Sequence, residues 1–346
     1  LVAPDFTWET VTQMDFGFDA SFLNNRLTGT FDWYRRNTKD MLVAGATLPA
    51  TLGASVPKSN SADMKTIGWE LSLGWNDRLE NGFSYWVKGV LSDYQATITK
   101  YAGNDAGFYS QSDGDGKYYV GQKIGEIWGY HSNGLFQSDD EAATIDQSEL
   151  YAGKWGAGDV KYEDLDNDGK ITKGEETIYN PGDKSIIGNK TPRYQFGITV
   201  GFDYKNFDFE MFWQGTGKRD YMLSGAQFWG FTSQWDVPYT PALDYWTETN
   251  TDAYFPRPGW QNGGNRVTSD RYLQSAAYGR LKNLTVGYTI PKNLTTKWGI
   301  SRLRLYVTGE NLLTITPLND AFDPETLGGM TYPINRKVAI GLNLTL

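Results

Sequence analysis

No cysteine occurs in the 346 residues, which excludes a disulfide framework, a thiolate metal site and a thiol nucleophile. The single histidine, His131, gives no support to a zinc cluster or a histidine-based catalytic triad; a lone histidine in a loop is read as solvated. No apolar run approaches the roughly 20 residues of a membrane-spanning helix. The formal net charge is −9 with no cluster of Lys and Arg, so no nucleic-acid partner is expected. Acid pairs such as Asp139-Asp140 and Glu175-Glu176 are sequence neighbours, whereas glycoside hydrolysis needs two carboxyls facing each other across a bond. These absences point away from an enzyme.

What is abundant is Gly (39 residues) and aromatic side chains (15% of the chain), a mixture suited to many pleated strands joined by turns. The low mean hydropathy, −0.52, is compatible with membrane strands, because such strands are apolar on one face only. Period-2 alternation is the strongest pattern. Phe16, Phe18, Ala20 and Phe22 alternate with polar or glycine neighbours, as do Ile67, Trp69, Leu71, Leu73 and Trp75. The same holds for Tyr194 to Phe202, for Phe207 to Trp213, and for Val338, Ile340, Leu342, Leu344 and Leu346. Each segment is about ten residues long, the length of a tilted strand crossing a hydrocarbon core.

Connection lengths alternate. Tight turns fall at Asn24-Asn25, Arg78 to Gly82 and Lys205-Asn206, with a slightly longer one from Pro291 to Ile300. Between them lie long stretches at about 39–64, 97–192, 218–274 and 314–334. One plain end and one elaborate end is how outer-membrane barrels are built, and compact soluble domains rarely carry loops of this size. The expected fold is all-β, with about nine antiparallel strands. Aromatics near strand ends (Trp33-Tyr34, Trp75, Tyr85-Trp86, Trp213, Tyr288) are candidates for interfacial girdles against outer-membrane lipid. A secreted, calcium-dependent carbohydrate-binding β-sandwich shares the alternation and stays open as the alternative. The chain starts Leu1-Val2-Ala3-Pro4 without Met or a leader, which reads as an internal start within something longer.

Several motifs in order resemble one family. The run Ile186 to Gly197 (IIGNKTPRYQFG), the run Arg280 to Pro291 (RLKNLTVGYTIP), and Gly309 to Thr314 followed by Asp323-Pro324-Glu325 resemble SusC/RagA-type TonB-dependent transporters, as do Tyr332-Pro333 and the last strand. Two departures are Leu346 where the family usually ends on an aromatic, and Gly279 where it tends to have a bulkier residue. The resemblance implies the C-terminal part of a 22-stranded, plugged barrel in the outer membrane of a Gram-negative bacterium. It further implies import of an oligosaccharide, or a peptide, driven by TonB through an N-terminal barrel-and-plug part. A SusD-like surface lipoprotein would be the other partner.

The sharpest local motif is Asp164 to Glu175 (DLDNDGKITKGE). Acids at positions 1, 3, 5 and 12 with Gly169 at 6 match the twelve-residue calcium loop: alternate side chains converge on one hard cation and the glycine permits the sharp turn. Asp164, Asp166, Asp168, the Lys170 carbonyl, Thr172 and Glu175 are the candidate ligands of a structural Ca²⁺ stiffening loop 97–192. A second cluster, Asp113-Gly114-Asp115-Gly116, lacks the closing acid. The long loops also hold Trp128, Tyr130, Trp155, Trp229, Trp235, Trp246 and Trp260. Trp229, Trp235 and Trp246 with Arg219 and Asp220 are the candidate ligand-binding set, since pockets combine an apolar lining with a few polar groups.

Overall fold

In the computed structural model the described residues are 6–44, 53, 57–109, 118–327 and 332–346; the Asp113–Gly116 cluster lies outside them. In chain order the strands are Thr10–Phe22 (β1), Leu27–Ala44 (β2), Lys58–Arg78 (β3), Ser84–Tyr101 (β4), Glu126–Tyr130 (β5), Ser132–Leu135 (β6), Val160–Tyr162 (β7) and Lys184–Asn189 (β8). They continue with Arg193–Tyr204 (β9), Phe207–Lys218 (β10), Asp220–Met222 (β11), Leu273–Ser275 (β12), Tyr278–Thr289 (β13), Arg302–Ile315 (β14) and Lys337–Thr345 (β15). One sheet holds nine of them in the order β1-β2-β3-β4-β9-β10-β13-β14-β15, each pair antiparallel. A single open sheet, rather than two packed sheets, is the architecture; the sandwich alternative is not what forms.

The register carries the apolar pattern from strand to strand. Phe18 faces Phe31, which faces Leu71, then Leu91, then Phe196. Nearer the tight turns Phe202 faces Phe209, then Val286, Val307 and Ile340. The opposite face is polar: Asp19, Thr30 and Ser72 align, as do Glu210, Thr285 and Thr308. Because the strand period is 2, a one-residue slip anywhere would turn one strand's apolar set to the wrong side.

On the polar face, rings lie over glycines of the neighbouring strand. Tyr34 covers Gly68, Trp86 covers Gly201 and Tyr306 covers Gly341. A side chain at those positions would collide with the ring, so the ring replaces the missing cross-strand contact. Tyr34 and Trp86 therefore belong to the inner face and not to a lipid girdle. On the outer face near the tight turns, Trp75 donates from Nε1 to the Tyr85 hydroxyl at 3.1 Å. Phe83 stacks on Phe202, Phe202 on Phe209, and Phe207 packs against Tyr288. This is the aromatic belt that an interface favours.

Strand length departs from the expected ten residues. β2, β3 and β4 contain 18, 21 and 18 residues, about twice what a tilted crossing requires. The β3–β4 pairing begins at the tight turn with Arg78 opposite Ser84, so the surplus rises on the long-loop side. The expected loop 39–64 is correspondingly shorter, with β2 reaching Ala44 and β3 starting at Lys58. The alternation there was masked by an irregularity: Asp40 has φ 56° and the register shifts at Met41, which reverses the in–out order. Asp63 stabilises the irregularity by accepting from the Asp40 N–H at 2.9 Å.

In the intact protein in lipid vesicles, Leu71→Lys on the outer face is expected to lower stability by about 2–4 kcal/mol, and Ser72→Lys on the inner face by much less. Urea unfolding checks this; equal losses would contradict the assignment of faces.

Candidate functional site

The long connections do not behave as separate loops. The described residues of the stretches 102–192, 219–277 and 316–336 close over the same end of the sheet and share one core. Tyr130, Leu135, Val160, Tyr162 and Ile171 of the first pack with Leu223, Phe228, Trp229, Phe255 and Tyr272 of the second and with Leu318, Phe322 and Leu327 of the third. Small two-stranded sheets (β5 with β8, β6 with β7, β11 with β12) pair the backbone. The first two stretches are also stitched directly, Tyr130 N–H donating to Thr268 O at 2.9 Å and Asp270 N–H to Tyr130 O at 3.0 Å. All three stretches contribute buried residues to this one core, so each packs against the others.

Polar locks fix this domain. Asp159, 1% exposed, accepts from Arg257 Nε and Nη2 at 3.0 and 2.7 Å, from Asn265 Nδ2 at 2.8 Å and from Gly156 N–H at 2.9 Å. Asn265 Oδ1 in turn accepts from Val160 N–H, and the Tyr162 hydroxyl donates to Gly264 O. Two of the motif runs meet at a second lock. Buried Arg280 reaches Thr314 Oγ1 through Nε, and pairs with Asp323 and Glu325 through its other nitrogens; Lys282 adds 2.9 Å to Glu325. Arg193 pairs with Asp93 through Nε and Nη2, tying β9 to β4 where the first long stretch ends. Charged bonds of this kind are the stronger class.

The candidate ligand set is dispersed. Trp229 is a core residue, 8% exposed, with its ring centroid 4.6 Å from that of Tyr272 and edge-on to Phe255; its faces are occupied by neighbours. Trp246 packs against the same core beneath Gly158. Trp235 stands free at 83% exposure. Arg219 and Asp220 sit where β10 meets the loop domain. Arg219 Nε donates to Lys190 O at 3.0 Å, and Asp220 Oδ2 accepts from Asn189 N–H at 2.9 Å. Burial first, opposed by Tyr221 and Tyr278, holds the Arg219 guanidinium below its ordinary pKa. A sequence cannot tell a Trp that builds a loop core from one that lines a pocket, because both are flanked by turns.

The acidic loop folds as a tight turn with Asn167 at φ 63° and Gly169 at φ 84°. Asp164 accepts from the N–H groups of Asn167, Asp168 and Gly169. Desolvation pushes the Asp164 pKa up, but those three donors outweigh it and hold the carboxyl below the usual range. Asp166 moves the other way, raised by desolvation and by the charges of Asp168 and Asp183. The group that meets them is Asp183, which sequence spacing missed. Its carboxylate is fully buried, accepts from Leu165 N–H at 2.8 Å and Thr172 N–H at 2.7 Å, and lies with those of Asp164 and Asp166 within 4.8 Å of one another. Asp168 and Glu175 contribute no carboxylate to that cluster. Asp168 is engaged with Lys170 N–H, and the backbone of Glu175 is held by Asn180 O. The signal for Asp183 lay outside the twelve-residue window.

His131 is not a free loop residue. Its Nδ1 is 2.7 Å from Asp270 Oδ2 and its Nε2 2.7 Å from Ser185 Oγ, while Asp270 Oδ1 accepts from Ser132 N–H. The chain joins three segments of the loop domain across its partly exposed surface.

A sheet with one apolar and one polar face under a folded loop domain defines a transmembrane barrel wall of the outer-membrane type. The comparisons agree. Residues 2–312 match the family described as "TonB dependent receptor-like, beta-barrel", and the chain belongs to that family of outer-membrane β-barrel proteins, which are not enzymes. TonB-dependent receptor P3 of Formosa agariphila is 30% identical over 97% of this chain, and TonB-dependent receptor SusC of Bacteroides thetaiotaomicron 26% over 97%. The solved RagAB peptide transporter shares the fold with a TM-score of 0.75 at 22% identity, over 99% of this chain and 36% of that one. The chain spans about a third of the length of these curated relatives, 34% and 32%.

Replacing Asp159 by Ala is expected to leave Arg257 and Asn265 without their acceptor and to loosen the loop domain by about 3 kcal/mol. Hydrogen exchange on the full-length protein checks this: faster exchange at Val160 and Tyr162, with the β13–β14 amides unchanged.

Proposed function

We propose that this chain is the C-terminal wall and loop domain of an energised outer-membrane importer whose cargo is an oligosaccharide. A TonB-driven N-terminal barrel-and-plug part of the same protein supplies gating, and a SusD-like surface lipoprotein covers the loop domain. The observation that carries the reading is the continuous polar inner face running up beneath an interlocked, aromatic-rich loop domain. Such a wall gives a solvated route at membrane depth and, at its outer end, a rigid surface on which a ligand can be held. The SusC/RagA-type resemblance of the motif runs implies an oligosaccharide first; the fold shared with a solved peptide transporter keeps a peptide as the second reading. Deleting the gene of the full-length protein should abolish proton-motive-force-dependent accumulation of a labelled oligosaccharide while peptide accumulation persists. The reverse result would establish the peptide, and no change in either would refute import.

We further propose that Asp164, Asp166 and Asp183 hold a structural Ca²⁺. Three carboxylates within reach of one another, one of them buried, suit a hard divalent cation, and a cation would offset the repulsion that raises Asp166. Chelation should lower the melting temperature of the loop domain by several degrees, restored by Ca²⁺. Asp183→Asn should remove that dependence and Glu175→Gln should leave it. A melting temperature indifferent to chelator would contradict the proposal.

A further inference from the structure

A cavity of about 350 Å³ lies between the two longest loop stretches, outside the candidate ligand set. It is lined by Trp128, Tyr130, Glu149, Lys173, Lys184 and Arg266, among others. Both long stretches bring cations to it: Lys173 from the turn after Gly169 and Lys184 from β8 of the first, and Arg266 from the helical turn Gly263–Arg266 of the second. Neither long stretch forms it alone.

The cations are unevenly compensated. Lys184, buried against the rings of Tyr109 and Tyr130 at 5.9 and 5.3 Å, has Glu176 at 3.3 Å. Arg266 donates only to carbonyl oxygens, those of Phe231, Gly259 and Trp260, at 3.1–3.3 Å. Among the described residues neither Arg266 nor Lys173 has a carboxylate within ion-pair distance of its side-chain nitrogens. A carboxylate at the rim, Glu149, is turned to the Lys173 backbone, whose N–H it accepts at 3.4 Å. The lining thus carries a net positive charge in a chain whose formal charge is −9.

We infer that this cavity binds an anionic group, a carboxylate or a sulfate, carried by the imported oligosaccharide; the inference rests on the import reading above and adds the charge class of the cargo. The lining also includes the apolar side chains of Trp128, Tyr130, Leu150 and Val267, so the ring that bears the charge has a surface to lie on. The volume is near the lower end of small-molecule pockets and takes one or two sugar rings rather than a chain. Cations around a partly desolvated cavity attract an anion more strongly than the same charges in water. An acidic peptide offers the same carboxylate but not a rigid ring.

The test is calorimetric titration of the intact transporter complex in detergent with tetragalacturonate, neutral galactotetraose and tetraglutamate, repeated on Lys173→Glu and on Lys123→Glu, a surface change away from the cavity. Tetragalacturonate is expected to bind at least tenfold more tightly than the neutral sugar. Lys173→Glu should reduce that affinity about tenfold without altering the neutral sugar, and Lys123→Glu should change neither. Equal affinity for acidic and neutral sugars, indifference to Lys173→Glu, binding of tetraglutamate alone, or binding of none of the three would each overturn the inference. Energy-dependent accumulation of labelled oligosaccharide, measured in parallel, scores the import reading separately.

Discussion

In hydrocarbon no water is available to an unpaired N–H or C=O, so each strand must be bonded on both sides while turning one face to lipid. That constraint sets the rest. It forces nine strands into one antiparallel register in which Phe202, Phe209, Val286, Val307 and Ile340 fall on a single line. With the outer face committed to lipid, Asp208 and Arg304 are turned inward, where they join through two hydrogen bonds across Gly287. A methyl group at Gly287 would come within 2.4 Å of the Asp208 carboxylate, so even the small residues of the inner face are set by what crosses them.

The loop domain answers a different requirement. Its stretches carry backbone groups that cannot join the main sheet, and they are satisfied by short two-stranded sheets and by buried carboxylates. Asp159 takes four donors and Asp183 two. Such locks cost desolvation and return it only when every partner is present, which makes the domain specific in shape. The motif runs resembling SusC/RagA proteins lie at the joints between wall and loops: Arg193 with Asp93, and Arg280 with Asp323 and Glu325. Their role in this chain is to hold the rigid wall and the loop domain in a fixed relation.

Much of the wall was legible in the sequence, because period-2 alternation and turn spacing are local signals. The three tight turns, the longer connection from Pro291 to Ile300 and the nine strands of the main sheet follow from them. Strand length did not, since the Asp40 irregularity breaks the alternation. Which face a girdle aromatic takes depends on register, so Trp86 and Tyr34 were misplaced while Trp75 and Tyr85 were not. The site was less legible. Trp229 and Trp235 lie in the same long stretch, yet one is buried and one exposed, because burial of Trp229 is decided by Phe255 and Tyr272, tens of residues away. Asp183 and Arg266 reach their neighbours only through long-range packing, and His131 has its two partners 54 and 139 residues away.

The account stands on the assignment of one sheet face to lipid and the other to the lumen. Nitroxide labels placed singly along β13 and β14 of the full-length protein in lipid vesicles test it most directly, read by collision with oxygen and with a water-soluble nickel complex. Positions 284, 286, 305 and 307 should favour oxygen, and 283, 285, 306 and 308 the nickel complex, in strict alternation on both strands. The opposite phase, or no alternation at all, would contradict the account.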